Sequence, residues 1–116
     1  MIQRGDIYRV SRPGGSDPRK SRPFVVVSRA GLIHAQFSSL VCAPIYSRND
    51  GLASQVTVGP EFGLAWNSSI HCDSLISVSK AGLTDYVGRL TQSKMREVDR
   101  ALAIALGIDH LLRDDA

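Results

Sequence analysis

Glycine divides this sequence into short pieces. Gly5, Gly14, Gly15, Gly31, Gly51, Gly59, Gly63, Gly82 and Gly88 fall mostly between brief apolar runs. Pieces of that length, bounded by turn residues, read as strands. The first is Asp6 to Val10. Ser11 to Ser21 (SRPGGSDPRKS) has two prolines, adjacent glycines and no large apolar side chain, and reads as an exposed, mobile loop. Pro23 then opens the β-branched run Phe24-Val25-Val26-Val27-Ser28, which suits a strand covered on both faces. Leu40 to Ile45 is a third strand, and Gln55-Val56-Thr57-Val58 alternates as a half-buried one should. Ser69 to Ile76 is a fifth, with Ile70, Cys72 and Leu75 on or near the core, and Tyr86-Val87 adds a short sixth.

The period then changes. Met95, Val98, Leu102, Ala105 and Leu106 recur at helical spacing, with Thr91 placed as N-cap and Gly107 as the residue after the C-cap. The stripe is suited to packing on the strands. The closing IDHLLRDDA carries Ile108, Leu111 and Leu112, apolar residues suited to docking on a second subunit. The class is therefore mostly β with one C-terminal helix. Strands this short curl into a barrel or paired sheets, because a flat sheet leaves its edges open.

At 116 residues there is room for one domain, and 43% hydrophobic with 22% charged residues excludes a disordered chain or a coiled coil. No apolar run approaches the roughly 20 residues of a bilayer span, and the N-terminus lacks the charged-then-apolar layout of a signal peptide, so a mature cytoplasmic chain is expected. Cys42 and Cys72 then stay reduced and read as small buried thiols. Two cysteines and three histidines are too scattered for a metal site.

Charge is uneven. The net charge is +3, yet Arg4 to Arg29 holds six arginines and one lysine against Asp6 and Asp17, a local +5. Arginine offers a planar fork that matches phosphate oxygens two at a time. A basic quarter of this kind points to nucleic acid or another polyanion, the alternative being a solvated surface without a ligand.

Several segments, taken in order, resemble the MazF/PemK/Kid family of toxins from toxin–antitoxin pairs. Arg4-Gly5-Asp6-Ile7-Tyr8 is similar to the family's opening strand. Ser21-Arg22-Pro23-Phe24-Val25-Val26-Val27-Ser28 is similar to its RPxxVLS stretch, Val41 to Arg48 to its VPITS segment, and Ser69-Ile70-His71-Cys72-Asp73-Ser74-Leu75 to its VxCDQ segment. Gly88-Arg89-Leu90 and a helix ending Ala105-Leu106-Gly107 complete a match over nearly the whole chain. The resemblance implies an SH3-like β-barrel of five to six antiparallel strands with a C-terminal helix, usually a homodimer. It implies an endoribonuclease acting on single-stranded mRNA without metal or cofactor, leaving a 2′,3′-cyclic phosphate and a 5′-hydroxyl. It also implies a cognate antitoxin of the MazE/PemI kind, whose acidic flexible tail fills the RNA groove.

Metal-free RNA cleavage uses the substrate's 2′-hydroxyl as nucleophile. The protein must take its proton, stabilise charge at phosphorus and protonate the leaving 5′-oxygen. Arg22, where loop meets strand, is the candidate for the phosphate. His71 and Asp73, two apart on an expected strand, would share one face as an acid/base pair. The resemblance gives the aspartate the role of base. It also shows a departure, since His71 stands where PemK/Kid-like members often have arginine. Tyr46 and Ser47 stand where many members have Thr-Ser, the threonine assisting at the phosphate. Tyr46 can take over that hydroxyl role, stack on a base or leave the task to Ser47. Arg12, Arg19, Lys20 and Arg48 are candidate phosphate contacts, and Trp66, the single tryptophan, is a candidate base-stacking side chain or a cover for core or interface.

Two other readings stand beside the nuclease. One is a non-catalytic toxin on the same fold, like the gyrase poison CcdB, but that type depends on a Trp-Gly-Ile C-terminus where this chain reads Arg113-Asp114-Asp115-Ala116. The other is an SH3-like module that binds RNA or protein without cutting.

Overall fold

The computed structural model describes residues 1–11 and 20–112. Most of the segment expected to be a loop, including Arg12 and Arg19, lies outside them. The strands are β1 (Asp6–Ser11), β2 (Ser21–Val26), β3 (Ser39–Tyr46), β4 (Gln55–Val58), β5 (Ser68–His71), β6 (Ile76–Ser79) and β7 (Asp85–Arg89). Two helices join them, a single turn α1 (Ala30–Ile33) and α2 (Gln92–Ala105). Every pairing is antiparallel. The order β4-β5-β3-β2-β1-β7, with β6 also against β3, makes one curled sheet, a half-barrel.

The β2 run is covered on both sides, as its unbroken apolar pattern implies. Val25 joins Ile7, Ala43, Ile45, Val56 and Ile70 on the inside of the curl, where Val98 and Ala101 of α2 close the core. Val26 faces the other way, into a second cluster with Tyr8, Val10, Leu40, Cys42 and Val78. Ile33 of α1 packs there too. The sequence pattern does not reveal α1, because its anchor is remote. Lys80 Nζ donates to the carbonyls of Ile33 (2.9 Å) and Ala35 (2.8 Å), satisfying acceptors that a one-turn helix leaves open. In α2 the Thr91 side chain accepts from Lys94 N–H, and Gly107 takes φ 73°, as the cap signals require.

Two of the sequence signatures turn out to be halves of one device. Asp6 is fully buried, and its carboxylate accepts from Arg89 Nε at 2.6 Å and from Gln3 N–H at 2.8 Å. Asp6 and Arg89 are register partners across β1 and β7. Arg4 meanwhile donates to the Val27 carbonyl and pairs with Asp99 of α2 at 2.7 Å. The opening Arg-Gly-Asp is therefore structural.

The fifth expected strand, Ser69 to Ile76, is not continuous. It breaks after His71 into a 3₁₀ turn, Cys72–Ser74, and resumes as β6. Ile45 pairs with Ile70, but Cys42 pairs with Ile76, so five residues stand against two. Opposite the departure lies Pro44, which has no N–H to give a neighbour. Ser54 clamps the turn: its carbonyl accepts from Cys72 N–H (3.1 Å) and its hydroxyl donates to the Asp73 carboxylate. Among the described residues the strands accordingly number seven. The expected buried thiols are found: burial pushes Cys42 up to about 12, and burial with the nearby Asp73 charge pushes Cys72 up to about 11.

Backbone contact between β7 and the turn Pro60–Phe62 leaves no room for a side chain. A Cβ on Gly88 would stand 2.1 Å from the Phe62 carbonyl oxygen. We expect Gly88→Ala to cost about 2 kcal/mol or more in urea unfolding, the scale of an overpacked core. Gly82→Ala, whose added carbon meets nothing closer than Val10 at 3.9 Å, should unfold within about 0.5 kcal/mol of the parent.

Candidate active site

The second cluster runs out before the sheet does. Along β2 its face passes from buried Val26 to half-buried Phe24 to exposed Arg22. There the apolar layer opens into a groove of about 610 Å³ whose walls include Lys20, Arg22, Phe24, Tyr46, Ser74 and Ser77. The groove thus has an apolar floor, hydroxyls on one side and two cations at its mouth.

Arg22 is exposed but not adrift. Its guanidinium carbon lies 4.1 Å from the centre of the Tyr46 ring. A cation over an aromatic face gains about 0.5–1 kcal/mol at an exposed site. On the same ring His71 sits edge-on, with centroids 4.7 Å apart and planes at 63°. Register explains the meeting. Tyr46 pairs with Ser69, Ser69 with Thr57 and His71 with Gln55, so all of these occupy the outer face of β3, β5 and β4.

His71 is buried, 5% exposed, and both ring nitrogens face protein groups. Nε2 lies 3.0 Å from the Arg48 carbonyl, which can only accept, so Nε2 carries the hydrogen. Nδ1 faces Gln55 Nε2 at 3.5 Å. The Gln55 amide is oriented by Asp50, whose N–H donates to Oε1 at 2.9 Å and whose carboxylate accepts from Nε2 at 3.0 Å. That amide, with Arg48 3.2 Å away, holds the Asp50 carboxyl below its usual range. The chain Asp50–Gln55–His71–Tyr46–Arg22 is one continuous set of contacts.

The expected surface pair of His71 and Asp73 does not form. The strand that would have put them on one face ends at His71, and Asp73 lies in the following 3₁₀ turn. Its exposed carboxylate takes the Ser54 hydroxyl, one residue before Ser74 in the groove wall. Ser47 also departs from the groove. As the residue after Tyr46 it points elsewhere, into a smaller hollow that it shares with Arg22 and Trp66. Lys20 lines the groove. Arg48 contributes a carbonyl to His71 and a side chain to Asp50. Gln55, Asp50 and Ser54 were not singled out from sequence. Gln55 stood on the polar phase of an alternating strand, but what it faces depends on pairing across β5.

These contacts predict the Nε2–H tautomer for His71. Nitrogen-15 NMR of the native protein at neutral pH should show its Nε2 proton and an unprotonated Nδ1, and Gln55→Leu should perturb that signal.

The family of PemK-like, MazF-like toxins of type II toxin–antitoxin systems matches residues 3–106. An endoribonuclease MazF6 of Mycobacterium tuberculosis is 30% identical over 114 residues, covering 93% of this chain and 99% of its own. A probable endoribonuclease MazF of Mycolicibacterium smegmatis is 33% identical over 109 residues, covering 92% and 98%. Among solved structures, an endoribonuclease in complex with its cognate antitoxin from a mycobacterial species superposes with a TM-score of 0.79 at 25% identity, covering 93% of this chain and 97% of that one. With the match spanning nearly every described element, the chain belongs to the PemK-like, MazF-like toxin family of type II toxin–antitoxin systems.

Proposed function

We propose that this toxin is an endoribonuclease that cuts single-stranded mRNA in the cytoplasm through the substrate's own 2′-hydroxyl. The observation that carries the reading is the Arg22 guanidinium, stacked on Tyr46 at the mouth of the groove. Its charge is permanent and its position is held, which is what stabilising a phosphorane requires. The Asp73 carboxylate, exposed beside the groove wall, takes the proton of the 2′-hydroxyl. The 2′-oxygen then forms a bond to phosphorus and the bond to the 5′-oxygen breaks. Tyr46 gives that oxygen its proton. The products are a 2′,3′-cyclic phosphate and a 5′-hydroxyl, and no step calls on a metal or cofactor.

His71 has a different task from the one its type suggests. With both nitrogens engaged, it buttresses the Tyr46 ring, and through that ring Arg22. It is a positioning residue. Lys20 at the groove mouth supplies a phosphate contact. The same basic, partly apolar groove suits the acidic tail of a cognate antitoxin, and the exposed Leu106, Ile108, Leu111 and Leu112 suit a homodimer contact.

The test is incubation with a mixed-sequence single-stranded RNA in EDTA. The parent should cut at defined sites. Arg22→Ala should cut about 100- to 1,000-fold more slowly, the usual cost of removing one transition-state charge contact. Tyr46→Phe keeps the ring under Arg22 and removes only the hydroxyl; it should lower kcat while leaving RNA affinity unchanged. Equal cutting by parent and Arg22→Ala would overturn the assignment.

A further inference from the structure

Arg22 stands on a ridge. On one side is the groove with Tyr46, and on the other is a hollow of about 170 Å³ floored by Pro23, Ile45 and Leu64. Arg9 and Trp66 complete its walls. Trp66 is 64% exposed, although tryptophan is on average a well-buried residue. Its backbone is nonetheless held, since its carbonyl accepts from the Ser68 hydroxyl at 3.0 Å. An exposed indole on an anchored backbone, beside two arginines and over an apolar floor, has the makings of a stacking platform.

We infer that this hollow takes the base of a nucleotide adjacent to the scissile phosphate, stacked on Trp66. The inference rests on the nuclease reading and extends it. A phosphate bound at Arg22 sends its two nucleotides to opposite sides of the ridge. One enters the Tyr46 groove and its neighbour enters the hollow. Arg9 lies where the next phosphate along that strand can be met, and the Ser47 and Ser68 hydroxyls line the same space, within reach of base edges. The apolar floor of Pro23, Ile45 and Leu64 offers a surface for the face of a base, which leaves the two arginines to the flanking phosphates.

Because the chain has a single tryptophan, its emission reports on this site alone. The probe is a fully 2′-O-methylated, mixed-sequence RNA decamer, which cannot be cut at its 2′ position. The comparison is an abasic 2′-O-methylribose-phosphate decamer of equal charge. The RNA should quench Trp66 strongly and the abasic strand hardly at all. Trp66→Ala should weaken binding of the RNA on the order of tenfold, with Trp66→Phe restoring most of the loss, and neither should change binding of the abasic strand. Equal quenching by both strands, or quenching only by an acidic peptide, would overturn the inference. Cleavage of ordinary RNA is scored in parallel. Quenching without cleavage keeps the base site and sinks the nuclease reading, and cleavage without quenching does the reverse.

Discussion

Much of this molecule follows from how one long strand is shared. β3 is paired along one edge by β2, but along the other by two strands in succession, β5 and β6. The 3₁₀ turn between them lies opposite Pro44, and Ser54 ties it down through both its carbonyl and its hydroxyl. This break ends the outer-face alternation at His71 and swings Asp73 onto a turn beside the groove. Before the break, the β5 register sets His71 against the Tyr46 ring at the end of β3, whose face is open toward Arg22. A continuous strand would have placed His71 and Asp73 on one face.

A second constraint closes the sheet. Asp6 is buried in full, and its partner Arg89 lies 83 residues away on the last strand. A buried carboxylate is costly unless it is paired and hydrogen-bonded, and here Gln3 N–H supplies a further donor. The pair fixes the β1–β7 register, and β1 in turn aligns β2, whose exposed end carries Arg22. The placement of Arg22 at one end of β2 is thus tied to an ion pair near the other end of its neighbour.

What the sequence made legible was what is local. Cap residues and a 3.6 period placed α2 between Thr91 and Gly107. Strict alternation placed β4, and an unbroken β-branched run implied two covered faces for β2. What it hid is set by partners far along the chain. The anchor of α1 is Lys80, the clamp on the Cys72 turn is Ser54, and the neighbours that occupy His71 are Gln55 and the Arg48 carbonyl. Pro44, within the expected third strand, has no N–H to donate, but which strand turns away opposite it is set by pairing with residues far along the chain. For the candidate site, the motif singled out Arg22, Tyr46 and Asp73, whereas the enclosure of His71 between Gln55 and the Arg48 carbonyl required the cross-strand register.

In the proposed reaction all the reactivity lies in the substrate's 2′-hydroxyl, with Arg22 and its neighbours arranged around the phosphate. The most direct measurement is cleavage, in EDTA, of an RNA carrying a single 2′-deoxyribose immediately 5′ of a mapped cut site. Cutting at that linkage should disappear, while a second site in the same strand is cut as before and its product ends in a 2′,3′-cyclic phosphate. Cutting at the deoxy linkage, or a product bearing a 5′-phosphate, would contradict it.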